Sequence, residues 1–208
     1  MKHGLLDVLL VAACLALATS CSGRKLEPLP APVAGADYFP LVDGDAFEFS
    51  GGTAIGSGPI EADGQQWDVT AATAPDGEEG FIISRRGRGI LNAMEMIYGL
   101  RDGDIVTWSG MFGVAKTEFL PPLVELPETI APGARWTWAG ESKGVALRVR
   151  SELEGVEELV TGKGLFKCLR IRREFNDGAV RMTQWYAAGV GLVKVMMKNA
   201  GGRVELQR

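Results

Sequence analysis

Histidine is nearly absent from this sequence, since the only one is His3, close to the amino terminus. The rest of the chain therefore has no imidazole to act as a general base, to activate a serine or cysteine nucleophile, or to bind zinc. Chemistry by carboxylates alone, as in glycosidases, needs no histidine and stays open. We expect a protein that is not an enzyme and that holds neither a metal nor a cofactor.

Cysteine is also scarce, with Cys14, Cys21 and Cys168 as its only occurrences. The first two lie in or directly after an apolar leader, so Cys168 stands alone in the remainder of the chain. A disulfide within that remainder is excluded even in an oxidising compartment. A lone thiol of this kind is more often a small buried apolar group than a reactive one.

The sequence has no excess of positive charge. Its 22 Lys and Arg residues face 26 Asp and Glu residues, which leaves a formal net charge of −4 at pH 7. Proteins that bind nucleic acid present a strongly basic surface, so we expect no nucleic-acid partner. The one short basic cluster, residues 85–88 (RRGR), is interpreted as a solvated turn, with contact to anionic lipid headgroups as the alternative.

Long apolar runs are missing as well. The longest is the 14-residue stretch from Leu5 to Ala18, which follows a short cationic start and contains Asp7 near its amino end. About 20 apolar residues are needed to cross a bilayer. A cationic start, a short apolar stretch and small residues together are typical of an export signal. We therefore predict that residues 1–20 are such a signal.

The predicted signal ends in Ala18-Thr19-Ser20-Cys21. This segment resembles the lipobox of bacterial lipoproteins, in which the cysteine receives a diacylglycerol on its sulfur before the signal is cleaved. The resemblance implies that Cys21 is the lipidation site and that lipid anchors the chain to a membrane. Val11-Ala12-Ala13-Cys14 is an alternative site, which leaves a shorter apolar stretch.

Residues 21–37 combine the predicted anchor with a proline-rich segment. Alternating prolines favour an extended, polyproline-like chain that does not pack as helix or sheet. We predict a tether over residues 21–37 and a single globular domain over residues 38–208, which is long enough for a real core. Ser22 stands where an Asp would resemble an inner-membrane retention signal, so we expect the chain at the periplasmic face of the outer membrane.

Turn signals and alternating runs dominate residues 38–208. Asp-Gly tolerates the positive φ angles of two-residue hairpin turns, and Val145, Leu147 and Val149 alternate with less apolar residues. Residues 91–100 fit a helix or a strand, and their alternation favours a strand. We predict an all-β fold, a curved antiparallel sheet, half-barrel or partly closed barrel of about 9–12 strands. The turn candidates are Asp-Gly at positions 43–44, 63–64, 76–77, 102–103 and 177–178, and residues 199–202.

Prolines at positions 121, 122, 127 and 132 mark a connecting segment or a sheet edge, because proline cannot donate to a strand ladder.

Three blocks of the sequence resemble a group of uncharacterised bacterial envelope lipoproteins. They are YFPLVDGDAFEF at residues 38–49, PPLVELP and PGARW within residues 121–136, and FKCLRI and WYAAGVGLVK within residues 166–194. The resemblance implies a half-barrel fold shared with lipoprotein-carrier proteins. That group has no established catalytic residues, so the resemblance assigns no site residue.

Two further patterns carry functional hypotheses. Trp136 and Trp138 point the same way on a strand and can line an apolar groove, with burial in the core as the alternative. Glutamates at positions 152, 154, 157 and 158 offer an acid/base pair, although a charged solvated face is the preferred interpretation. We expect a binding module for an apolar ligand or lipid; the alternative is a protein-interaction or structural component of an envelope assembly.

Overall fold

The computed structural model describes residues 26–55, 61–86, 93–112 and 115–208. Strands dominate these ranges, together with two short 3-10 turns at Gly35–Tyr38 and Asn176–Gly178. The described part of the chain contains no helix with the length and hydropathy to span a membrane. The strands are β1 (Val33–Ala34), β2 (Ala46–Ile55), β3 (Glu61–Thr73), β4 (Glu79–Arg86), β5 (Ala93–Arg101), β6 (Asp104–Phe112), β7 (Ala115–Leu126), β8 (Thr129–Ile130), β9 (Arg135–Ser142), β10 (Val145–Thr161), β11 (Gly164–Phe175), β12 (Val180–Ala187), β13 (Gly191–Asn199) and β14 (Gly202–Gln207).

Twelve of these strands form one closed antiparallel barrel. Neighbours along the chain pair with each other from β2 to β7 and from β9 to β14, and β14 closes the circle by pairing with β2. The short strands β1 and β8 form a separate two-stranded sheet. The all-β antiparallel prediction is confirmed, including the strand over residues 93–101. Closure leaves the barrel without a free edge strand, so it is more complete than the half-barrel that the resemblance implies.

The pairing of β7 with β9 is the narrowest contact in the barrel, because only Phe119 and Leu120 of β7 have ladder partners in β9. Pro121 and Pro122 follow directly, between the parts of β7 that pair with β6 at Glu118 and at Leu123. Proline has no backbone N–H to donate, so the ladder is interrupted there. These prolines therefore lie inside a strand, at its irregular point, rather than in a connection.

Most of the predicted turns are present. Asp102-Gly103 joins β5 to β6 with φ angles of 54° and 85°, the positive values that a two-residue hairpin needs. Turns also occur at the other predicted positions except one. The turn predicted at Asp63-Gly64 is wrong, since these residues lie within β3 and pair with Gly51 and Ser50 of β2. A long ladder on β2 prevails there over the local turn signal.

The proline-rich segment before the barrel is packed, which corrects the predicted tether for residues 26–37. Glu27 exchanges two backbone hydrogen bonds with Val156 of β10, at 3.0 and 2.7 Å. Leu29 is only 6% exposed and belongs to the core, and β1 pairs with β8. Prolines remove some backbone donors, but the remaining N–H groups still find partners and the apolar side chains still favour burial. Residues 1–25, with Cys14 and Cys21, lie outside the described residues.

Residues 26–45, which we call the N-terminal segment, cover one end of the barrel. The Gly35 N–H donates to Glu128 after β7, and the Gly189 N–H in the β12–β13 turn donates to Asp37. Phe39 enters the interior, with its ring centroid 5.0 Å from that of Tyr98 and 5.9 Å from that of Tyr186. We call this end, with the β5–β6, β10–β11 and β12–β13 turns, the closed end, and the opposite end, with the β11–β12 and β13–β14 turns, the far end.

The main core fills the half of the barrel next to the closed end. Leu126 and Ile130 are fully buried there, and Leu206 is fully buried where this core borders the cavity. The described core residues all lie between Leu29 and Leu206. A chain that starts at Leu26 therefore contains the complete described core and is expected to fold on its own.

Candidate functional site

A cavity of about 370 Å³ occupies the barrel interior above the N-terminal segment. Small-molecule sites usually have volumes of roughly 300–1,000 Å³ and mostly apolar walls. Aromatic and aliphatic side chains line the middle of the cavity, among them Phe49, Trp67 and Ile83. Towards the far end the lining continues with Phe175, Val180, Met182, Met197 and Val204.

Strand periodicity explains which side chains reach the cavity. Alternate residues of a strand share a face, and Met182, Gln184 and Tyr186 of β12 all line the interior. The same rule brings Arg173 inward two positions after the buried Ile171 on β11. Most of the cavity lining therefore lies on the inner faces of regular strands, which hold side chains more rigidly than loops do; Phe39, Pro40 and Leu41 of the N-terminal segment complete it.

Arg173 of β11 and Glu125 of β7, which both line the cavity, form a buried ion pair. The two side chains are 1% and 8% exposed. Arg173 donates through Nη1 to Glu125 Oε2 and through Nη2 to the Glu125 carbonyl oxygen, while Thr107 Oγ1 donates to Glu125 Oε1 at 2.7 Å. Buried charges are tolerated only when they are paired and hydrogen-bonded, and this pair meets both conditions.

Among the described residues, three polar atoms at this pair make no hydrogen bond of normal geometry: Arg173 Nε, the Tyr186 hydroxyl and Gln184 Oε1. An unsatisfied buried polar group costs about 1–3 kcal/mol. Burial raises the pKa of Tyr186 well above its ordinary value; Arg173 opposes this shift, Glu125 adds to it, and the Gln184 side chain is close enough to the Tyr186 hydroxyl to lower its pKa slightly. The Tyr186 hydroxyl therefore stays protonated and can donate a hydrogen bond at any physiological pH.

Arg85 also lines the cavity, which corrects part of the solvated-turn interpretation of residues 85–88. It lies in β4 opposite Trp67, with its guanidinium carbon 4.4 Å from the Trp67 ring centroid. Its Nη2 donates to Gln65 Oε1 at 2.9 Å, and burial lowers the pKa of Arg85 to about 10. Arg86, on the other face of β4, is exposed and pairs with Asp68. Gly87 and Arg88 lie outside the described residues.

A third arginine approaches the cavity beside β2. The Arg208 guanidinium carbon lies 3.9 Å from the Phe47 ring centroid and 5.5 Å from that of Phe49. Burial lowers the pKa of Arg208 to about 10, with Asp45 opposing the shift. The described cavity lining thus carries three arginines and one glutamate, a formal charge of +2.

Sequence analysis missed these charged lining residues. The alternation along β11 could have identified Arg173, because it lies on the same strand face as the apolar Leu169 and Ile171. The same alternation places Arg85 on the face of Ile83. A charge is usually read as solvent-facing, so the alternation alone did not identify these two arginines.

The structure does not show the apolar groove predicted for the two tryptophans of β9. Trp67 lines the cavity, whereas Trp136 and Trp138 are not among its described lining residues. Trp138 is 5% exposed and packs in a smaller core cluster with Phe119, where its Nε1 donates to the Pro122 carbonyl at 2.9 Å. The alternative of core burial is confirmed for Trp138.

The predicted charged, solvated face of β10 is present only in part. Glu152, Glu154 and Glu157 lie on the outer face but are 25%, 19% and 14% exposed, and Glu158 is two positions after the buried Val156, on the other side of the strand. Glu152 pairs with Arg135 and Arg172, and Glu154 pairs with Arg170 at 2.8 Å. A hydrogen bond from Arg135 is the main cause that lowers the pKa of Glu152; burial opposes it, and a hydrogen bond from Arg172 adds to the lowering. A carboxylate held in its ionised form by arginines is a poor general acid.

Cys168 is fully buried and unpaired with another cysteine. Burial, and then the charge of Glu157, raises the pKa of the Cys168 thiol to about 12. The expectation of a buried, unreactive thiol agrees with this environment. Within the described ranges, no group of three or more His, Cys, Asp or Glu side chains is placed to hold a metal ion.

Neither a protein-family model nor a curated protein matches the sequence. Similar solved structures include a protein from Bacteroides fragilis NCTC 9343, described as exported and as having a YmcC-like fold. It is 15% identical over 84% of this chain and 97% of that one, with a TM-score of 0.42. Another, described as a lipoprotein, comes from Parabacteroides distasonis ATCC 8503, with 12% identity, coverage of 82% and 95%, and a TM-score of 0.35. At these scores neither structure assigns a role to the cavity.

Proposed function

We propose that this chain is a lipid-anchored envelope protein whose barrel binds one small apolar or amphipathic ligand without catalysing a reaction on it. The observation that carries the proposal is the cavity of about 370 Å³, with mostly apolar walls and a few convergent polar groups. This combination is typical of ligand sites. Met96, Met182 and Met197 in the lining add side chains that adapt readily to a bound molecule.

The lining chemistry supports binding rather than catalysis. Glu125 is the only carboxylate among the described lining residues, and both of its oxygens already accept hydrogen bonds. Hydrolysis by carboxylates requires two of them flanking the reacting bond. With no histidine after His3, the cavity has no obvious acid/base pair.

The anchor part of the proposal rests on Cys21 and its resemblance to a lipobox. Because residues from Leu26 onwards pack on the barrel, only the four residues 22–25, or five Cα-to-Cα steps, separate the packed chain from the lipidated Cys21 that we propose. Such a segment spans at most roughly 18 Å at about 3.3–3.6 Å per residue. The barrel would then be held close to the membrane surface, which we place at the periplasmic face of the outer membrane.

The binding proposal is tested with residues 26–208 purified in folded form. Organic extraction followed by mass spectrometry should show a co-purified apolar molecule, and a fluorescent fatty acid should bind saturably. Val204→Phe, which places a larger side chain in the cavity lining, should reduce both. If nothing is extracted and nothing binds, the ligand-binding proposal is wrong, and a protein-interaction role becomes the leading explanation.

The anchor is tested in the full chain. Cys21→Ser should abolish labelling by a radioactive fatty acid and release the protein from membranes, because stable anchoring depends on the attached acyl chains. Cys14→Ser is the matched control and should label normally. The reverse result would assign the anchor to Cys14.

A further inference from the structure

We propose that the cavity ligand is a single-chain amphiphile with a carboxylate at its polar end, and that Arg173, Tyr186 and Gln184 hold this carboxylate. The inference rests on the proposed binding function and specifies the chemistry of the ligand. It starts from three buried polar atoms that make no hydrogen bond of normal geometry with the described residues, at the Arg173–Glu125 ion pair.

These three side chains are close together on neighbouring strands. Arg173 of β11 is the ladder partner of Met182 in β12. Gln184 and Tyr186 are the next two residues of β12 on the same face as Met182. All three line the cavity, and Arg173 is near enough for its charge to lower the pKa of Tyr186. They therefore form one polar patch on an otherwise apolar wall.

The patch is equipped to donate hydrogen bonds. Arg173 Nε–H is a donor, and the Tyr186 hydroxyl, which stays protonated, is a second. Gln184 supplies a third once its amide rotates, because the oxygen and nitrogen ends of a side-chain amide have nearly the same shape. Several donors on neighbouring strands of one cavity wall are suited to an anionic oxygen ligand.

The charge of the cavity favours an anion over a cation. The described lining has a formal charge of +2, and its one carboxylate, Glu125, is occupied by Arg173 and Thr107. Arg173 donates one N–H from each Nη atom to Glu125, and its Nε–H makes no hydrogen bond with the described residues. Arg173 is the only charged member of the patch, since Tyr186 and Gln184 are neutral, and this suits a singly charged carboxylate better than a doubly charged phosphate.

The rest of the cavity fits an apolar chain. From the patch, the lining continues towards the far end with Phe175, Met182, Met197 and Val204. The volume of about 370 Å³ is near the lower limit of the usual range for ligand sites, roughly 300–1,000 Å³. A single chain suits this space better than a lipid with two or more chains.

The test compares hexadecanoate with its methyl ester, which has the same chain without the charge. Each compound is titrated against a fluorescent fatty acid bound to folded residues 26–208 at pH 7, and we expect the acid to bind about tenfold more tightly than the ester.

Tyr186→Phe should remove most of this preference and leave the ester affinity unchanged. The melting temperature should fall little, since the deleted hydroxyl makes no hydrogen bond of normal geometry with the described residues. Tyr38→Phe deletes the same group outside the described lining and should change nothing.

Each outcome separates this inference from the proposed function. Equal affinity for acid and ester in the unmodified chain would overturn the carboxylate and leave the binding function intact, whereas no binding of either would overturn the binding function itself. Gln184→Met provides a second variant if Tyr186→Phe fails to fold, with the same loss of preference expected. If Arg208→Gln removes the preference while the patch variants retain it, our placement of the carboxylate is wrong.

Discussion

The two halves of the barrel interior are built from the same strands and differ in what fills them. Near the closed end, Leu126, Ile130 and Leu169 are at most 1% exposed. Towards the far end, inward side chains such as Met182 and Met197 remain half-buried and line the cavity. The difference is the N-terminal segment, which places Leu29 in the main core and Phe39 where that core borders the cavity.

This comparison shows how the number of strands determines the space inside a barrel. About eight strands give an interior that inward side chains just fill, and a larger number leaves space inside. Twelve strands therefore need an additional segment to complete a core. The alternating pattern determines which side chains point inward, and the extra segment determines which half becomes core and which half stays a cavity.

The largest expected effect lies at the border between the halves. Glu125→Leu leaves Arg173 charged, buried and unpaired, so we expect a loss of about 3–5 kcal/mol in the free energy of unfolding. Urea denaturation measures this loss. The double variant Glu125→Leu/Arg173→Met should recover most of it, because two apolar side chains of similar volume can replace a buried pair. A double variant as unstable as the single one would mean that the pair itself stabilises the barrel.

Deleting side-chain volume should distinguish the halves directly. Leu29→Ala creates a void in the packed half and is expected to cost about 2–5 kcal/mol. Met182→Ala removes a half-buried side chain beside space that already exists, and we expect a cost below about 1 kcal/mol, typical of sites outside a packed core. Equal losses in chemical denaturation would show that the two halves are packed alike.

Adding volume should give a smaller contrast of the same kind. Val156 is 5% exposed in the main core, so Val156→Phe is expected to cost about 1–3 kcal/mol through overpacking. Val204→Phe adds the same atoms at the cavity lining and should leave the melting temperature nearly unchanged while it weakens binding of the fluorescent fatty acid. A large drop in melting temperature for Val204→Phe would contradict the space that we describe there.

Thiol reactivity gives the smallest and most local comparison. Cys168 should not react with an aromatic disulfide reagent at pH 8 in the folded protein, whereas Met182→Cys in a Cys168→Ala background should react. Burial raises the folded pKa of Cys168 from 9.0 to about 12, so its protonated form favours folding. This contribution is complete below pH 9 and is lost as the pH rises towards 12. Fast labelling of native Cys168 would contradict its burial.

Local chemistry made much of the fold predictable from the sequence. The Asp102-Gly103 hairpin was readable because a two-residue turn needs two positive φ angles, and the alternation in residues 91–100 identified β5. Cys168 was readable as a buried thiol because no partner cysteine follows Cys21. These features depend on neighbouring residues or on composition, and both are present in the sequence itself.

The candidate site depended on contacts between distant parts of the chain. Arg173 and Glu125 are 48 positions apart, and nothing local marks either as buried. Asp63-Gly64 has a turn signature and lies in a strand because β2 continues its ladder past it, and the proline-rich residues 26–37 pack because the barrel offers them partners. The sequence by itself determined an antiparallel β-protein with these hairpins and an inner face. Only the tertiary structure decided that the sheet closes, that half of its interior is filled, and that a charged patch faces the space that remains, because barrel closure and burial arise from the sum of long-range contacts.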